Sequence, residues 1–135
     1  SNYPFCYKMR NTNGTQNQIL LRLADILLLK AEALTELGQL DAVSGAQYYV
    51  NLVRSRAKLA PTTATTADAL RTAIAKERRL ELAFEGHRWY DLKRTGKAIE
   101  TMTALGYTLN ENKLLFPIPQ GERDKNINLK QNPGY

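Results

Sequence analysis

The stretch Glu77–Thr95 reads E-R-R-L-E-L-A-F-E-G-H-R-W-Y-D-L-K-R-T and gathers four acids, five bases, the only His and the only Trp of the 135-residue chain. Glu77, Glu81 and Glu85 recur every four residues, so a helix stacks their carboxylates along one face, about 6 Å apart at Cβ. Left unpaired, such a row costs the helix a few tenths of a kcal/mol for each like-charged pair. It therefore needs cations, and Arg54, Arg56, Arg78, Arg79 and Arg88 are the candidates, because a guanidinium fork binds carboxylates bidentately. A retaining glycosidase also holds two carboxyl groups about 5.5 Å apart, but on opposite sides of the scissile bond, whereas successive turns of one helix present them side by side. The spacing thus predicts a partly buried structural network of Glu77, Glu81, Glu85, Arg54, Arg56 and Arg88 that clamps a third helix to a second. If that network is buried, Glu81→Ala strands an arginine at a cost of about 3–5 kcal/mol.

Other chemistries lack their parts. His87 has no second His at metal-ligand spacing and Cys6 stands alone, so no metal site is expected. No serine sits in a Gly-x-Ser-x-Gly setting and no glycine-rich phosphate loop occurs, which leaves no catalytic residue and no cofactor to name. Trp89 and Tyr90, beside Arg88 and Arg94, are of a kind that stacks on a sugar or a base. On a helix one of two adjacent aromatics faces inward, so one is expected in the core and the other half-exposed.

Working outward, Ile19 to Leu37 carries apolar residues at Leu20, Leu23, Ala24, Leu27, Ala31 and Leu34, the spacing of one helical face, with Ile26, Leu28 and Leu29 widening the stripe. Gly38 ends that helix, and Asp41 is expected to cap a second one running to Lys58. So short a connection makes the two antiparallel. Thr66 or Asp68 caps the third helix, which is expected to turn Leu70, Ala73, Ile74, Leu80 and Phe84 to the core and stop at Gly86. His87–Arg94 and Lys97–Leu105 complete five helices. Beyond Gly106, Tyr107–Leu109 and Leu114–Phe116 flank a turn and predict a short β-hairpin. Pro117 and Pro119 then hold an extended segment that cannot enter a central strand, and a polar coil follows. At the other end, Tyr3, Phe5 and Tyr7 alternate as a lone strand before the polar loop 11–17.

A net charge of +6 and pI near 9.5 invite a nucleic-acid reading. The bases, however, run interleaved with acids and never four in a row, whereas a phosphate backbone needs them on one face. The single Cys excludes a disulfide scaffold, and no secretory signal or long apolar run is present.

Five motifs in order complete the reading: R-L-A-D-I-L-L-L-K-A-E-A-L at Arg22–Leu34, N-L-V-R-S-R-A at Asn51–Ala57, E-R-R-L-E-L-A-F-E-G-H-R-W-Y-D-L-K-R at Glu77–Arg94, L-F-P-I-P-Q at Leu115–Gln120 and Q-N-P-G-Y at Gln131–Tyr135. Together they closely resemble the C-terminal part of the SusD-like (RagB/SusD) proteins, surface glycan-binding lipoproteins of the Bacteroidetes outer membrane. The resemblance implies a mostly α fold of antiparallel, tetratricopeptide-like helix pairs, with residues 19–135 as a C-terminal helical domain and residues 1–18 as an orphan strand and loop of an upstream region. It also implies a non-enzymatic role: binding an oligo- or polysaccharide as a lipid-anchored, surface-exposed partner of a TonB-dependent, SusC-like outer-membrane transporter. No ligand-binding residue carries over. Two alternatives are a helical-repeat scaffold that binds proteins and a hydrolase acting through Glu77, Glu81 or Glu85 with His87.

Overall fold

The computed structural model describes Cys6, Lys8, Gly14, Asn17 and residues 19–135. The expected strand of Tyr3, Phe5 and Tyr7 lies outside the described residues. Two compact units divide between Arg88 and Trp89.

In the first unit α1 (Leu23–Glu36) begins four residues later than its periodicity suggests. It ends as expected, with Gly38 at φ +73° and the amides of Leu37, Gly38 and Gln39 returning to the carbonyls of Ala33, Thr35 and Leu34. A positive φ suits glycine because it has no Cβ to clash. The inward face of α1 is Ala24, Leu28, Ala31 and Thr35, with Leu27 and Leu34 partly buried beside it. The Thr35 hydroxyl donates to the Ala31 carbonyl at 2.8 Å, which satisfies the one polar group in that row. Leu20 and Leu23, expected in the core, are instead exposed. Apolar residues surround this helix on nearly every side, so periodicity alone does not single out the buried face.

Asp41 does not cap α2 (Ala46–Arg56) directly. Its carboxylate accepts from the amides of Val43 and Ser44, each at 2.8 Å, and so closes the turn before the helix. Gly45 occupies the cap position, buried against that turn. The Ala46 and Gln47 amides donate to the Gln39 and Leu40 carbonyls. The start of α2 is thereby bonded to the end of α1, and since the two share one core, α2 runs back along α1.

The connector to the third helix is tied to α2, its Thr62 amide donating to Asn51 at 2.8 Å. Thr66 then caps α3 (Ala67–Glu81), its hydroxyl accepting from the Ala69 amide. Leu70 and Ile74 of α3 close the core with Ala24, Leu28 and Ala31 of α1 and Ala46, Val50 and Val53 of α2. Burying side chains such as Leu28, Leu70 and Ile74 contributes about 1.5–3 kcal/mol each, and the three buried alanines let the helix axes approach. Leu80 and Phe84, expected inside, are exposed. The inward stripe continues from Leu70 and Ile74 to Glu77, Arg78 and Glu81, so charged groups occupy the face that apolar ones had been expected to fill.

Helix α4 (His87–Arg94) carries the division between the units. Its buried residue is Leu92, while Trp89 is half-buried and Tyr90 exposed, so neither aromatic is the core residue expected of the pair.

The second unit holds α5 (Ala98–Ala104), a 3₁₀ turn at Glu111–Leu114 and the short α6 (Gln120–Lys125). The expected hairpin is absent: no strand occurs among the described residues. Asn110 instead caps the 3₁₀ turn by accepting from the Lys113 amide, and Pro117 and Pro119 deny the following segment the amides that a ladder needs. Side chains of the tail replace that ladder. Gln131 accepts from the Ile118 amide at 2.8 Å and donates to the Ile118 carbonyl at 3.0 Å. Asn132 donates to the Phe116 carbonyl at 2.7 Å and the Tyr135 hydroxyl to the Leu115 carbonyl at 2.9 Å. Lys113 stands 3.9 Å over the Tyr135 ring and donates to the Gly134 carbonyl. Two motifs separate in the sequence, L-F-P-I-P-Q and Q-N-P-G-Y, are thus one hydrogen-bonded unit.

A Cβ at position 45 would lie 2.5–2.6 Å from the Asp41 amide nitrogen, Asp41 Oδ2 and the Gln39 carbonyl oxygen. Gly45→Ala is therefore expected to destabilise the α1–α2 turn by about 1–3 kcal/mol, read as a lower denaturant midpoint. A midpoint equal to the parent's would mean that the turn opens without penalty.

Candidate functional site

The acids of α3 meet their cations where the start of α1 and the ends of α2 and α3 converge. Glu77, buried, accepts from Arg54 Nη1 at 2.8 Å. Glu81 is held at both oxygens, Oε1 by Arg22 Nη1 and Oε2 by Arg56 Nη2, each at 2.6 Å. Glu85 lies just past the helix with its side chain wholly enclosed. The Arg22 fork grips it through Nε to Oε2 at 2.7 Å and Nη2 to Oε1 at 2.8 Å, and Lys8 completes an ion pair with the same carboxylate. Arg22 and Lys8 also donate to the Glu81 carbonyl, so the last turn of α3 is bonded through its backbone as well.

A second pair lies deeper. Arg78 Nη1 is 2.8 Å from Asp25 Oδ1, with both side chains 4% exposed. That oxygen takes no well-aligned hydrogen bond, and the close guanidinium compensates its charge. Arg79 is exposed, Arg88 half-buried at the start of α4, and His87 half-buried as the first residue of that helix.

Arg54 and Arg56 stand in the last turn of α2, where they pair with Glu77 and Glu81. Sequence reasoning missed Arg22, Lys8 and the Asp25–Arg78 pair. Arg22 and Asp25 did carry a signal, a base and an acid three apart flanking the apolar start of α1. Spacing within one segment could not say which distant acid or base each would meet.

The electrostatics bear on chemistry. Burial pushes the Glu85 carboxyl up, but hydrogen bonds from Arg22 and then Lys8 outweigh it and hold the group below its ordinary value of 4.5. The Arg22 guanidinium is raised, first by its hydrogen bonds to Glu85. A carboxylate held charged between cations is a poor proton donor near neutrality. Both Glu81 oxygens and both Glu85 oxygens are already engaged. The arrangement suits a clamp between helices better than an acid–base pair. Among the described residues no group of three or more His, Cys, Asp or Glu gathers as a metal site, and no helix is long and apolar enough to cross a membrane.

Removing one partner of a buried ion pair costs about 3–5 kcal/mol. That figure is the upper bound for Asp25→Ala, which removes the carboxylate facing the enclosed Arg78 guanidinium. Glu81→Ala is expected to cost less, about 1–3 kcal/mol, because the Arg56 side chain is 64% exposed and Arg22 keeps Glu85; denaturant melts of the two variants should rank in that order. The depressed Glu85 adds a pH dependence. Its stabilisation is complete above the ordinary value of 4.5 and is lost as pH falls through the lower folded value. Between about pH 5 and pH 3 the parent should therefore lose more stability than Glu85→Gln, and equal losses would mean that Glu85 is not held charged.

With this geometry in view, the similarities to known proteins have a structural basis. The SusD family model matches residues 5–135. SusD-like protein P38 of Formosa agariphila is 40% identical over 129 residues, which are 88% of this chain and 25% of that protein. Among solved structures, a laminarin-binding SusD-like protein is 48% identical with a TM-score of 0.68, covering 89% of this chain and 23% of the other. Surface glycan-binding protein A of Bacteroides thetaiotaomicron is 38% identical with a TM-score of 0.65, over 82% and 23% of the respective chains. The chain spans about a quarter of the length of the curated relatives it matches. The match takes in the α1–α3 core, the charge network at its end and the tail locked onto the proline segment, and the chain belongs to the SusD family.

Proposed function

We propose that this chain is the C-terminal helical part of a non-enzymatic protein that captures an oligo- or polysaccharide at the cell surface. In this reading α1 and α2 are a tetratricopeptide-like pair, and the whole polypeptide is lipid-anchored in the outer membrane and works with a TonB-dependent transporter of the SusC kind. The observation that carries the reading is the high identity to a laminarin-binding SusD-like protein along most of this chain. The charge network supports it from the other side, since carboxylates already engaged by Arg22, Arg54, Arg56 and Lys8 are scaffold rather than chemistry. Glycan contacts are assigned to the part of the polypeptide outside these residues.

Affinity electrophoresis of the complete gene product through gels containing laminarin and a panel of other polysaccharides tests the reading. Retarded migration in at least one gel, with no new reducing ends released, is the expected result. No retardation in any gel would sink the proposal. Release of reducing ends that Glu81→Gln abolishes would turn it to the hydrolase.

A further inference from the structure

Glu85 stands between two left-handed residues, Phe84 at φ +66° and Gly86 at φ +83°. Glycine takes that conformation freely, whereas a residue with a Cβ is held off it by a factor of about 5–30. Lys58 also has a positive φ, but in an ordinary place for one: its amide and that of Leu59 return to the Ser55 and Arg54 carbonyls and close the end of α2. Phe84 has no such setting, because α3 already ends at Glu81. It is the third residue of a turn that the Glu85 amide closes on the Leu82 carbonyl at 3.1 Å, a place where a positive φ calls for glycine or asparagine. Its ring gives little in return within this unit, being 74% exposed.

A bulky residue keeps a disfavoured backbone only where its surroundings over-determine it. Here the constraint is next door. Arg22 and Lys8 hold the Glu85 carboxylate, whose side chain is wholly enclosed, and the same two cations donate to the Glu81 carbonyl. Both ends of the segment 81–85 are therefore pinned to one pair of side chains. We infer that Glu85 is a latch: its ion pairs with Arg22 and Lys8 hold the corner 82–86 in a backbone conformation that Phe84 opposes. Loss of that grip lets the corner relax while the α1–α3 core stays folded, which makes it a point of local opening immediately ahead of α4.

Hydrogen exchange read by mass spectrometry on the complete gene product tests the latch. Phe84→Ala and Phe84→Gly both remove the ring, and only the alanine keeps the strain. With Glu85 in place, protection across 82–86 is expected to be about fivefold or more lower in the alanine variant than in the glycine variant. With Glu85→Ala added, the two corners should exchange fast and alike, while the segment from Leu70 to Ile74 keeps its protection. Equal protection for alanine and glycine beside an intact Glu85 would overturn the inference, since no strain would then be held. So would a gap that Glu85→Ala leaves unchanged, because something other than the clamp would be holding it. If Glu85→Ala also exposes Leu70 to Ile74, the comparison moves to Glu85→Gln, which keeps the side chain's shape; there a narrowed gap supports the latch and a full gap overturns it. Protection lost from Leu70 to Ile74 in both variants would overturn it as well, for the corner would not open apart from the core.

Discussion

The grip of Arg22 on Glu85 and Glu81 is the constraint on which the first unit depends. Helix α3 turns Leu70 and Ile74 inward for half its length and then, on the same face, Glu77 and Glu81. A face that changes from leucine to glutamate can be buried only if cations arrive from other segments, since a desolvated carboxylate without a partner costs several kcal/mol. Arg54 and Arg56 come from the end of α2, and Arg22 from the residue before α1. The ion pairs therefore bind together the helix ends that the short connections bring side by side.

The two ends of this helical layer are held differently. At the end of α1, Arg71 of α3 forms a fork with Glu36 and also reaches Asp68, but all three side chains stand largely in water. Such exposed pairs contribute little. The network around Glu85 and the Asp25–Arg78 pair are enclosed, so losing one partner there costs more than losing one at the surface. At this end Glu85, held below its ordinary value by Arg22 and Lys8, is a group through which acid weakens the unit.

The second unit solves a different problem. Prolines on both sides of Ile118 make an extended segment that no sheet can accept, and its polar backbone must still be satisfied. Gln131, Asn132 and Tyr135 do so with side chains aimed at main-chain groups of Ile118, Phe116 and Leu115. Both units therefore use polar side chains to impose geometry, and among the described residues no group of three or more His, Cys, Asp or Glu gathers as a metal site.

Much of this was legible in the residues alone. The glycine stop at Gly38, the Thr66 cap, the helix over His87–Arg94 and the four-residue spacing of Glu77, Glu81 and Glu85 are local facts, set by backbone sterics and helical pitch, whereas α3 ends at Glu81, five residues short of the stop expected at Gly86. The five motifs in order carried the family. Tertiary structure alone decided the buried face of α1, where apolar residues on more than one face each offer a core, and the pairing of Arg22 with Glu85 across 63 positions. It also replaced the expected hairpin by a 3₁₀ turn and side-chain bonds. Local spacing determines which residues share a face; which face is buried, and which distant charge it meets, depends on segments that only folding brings together.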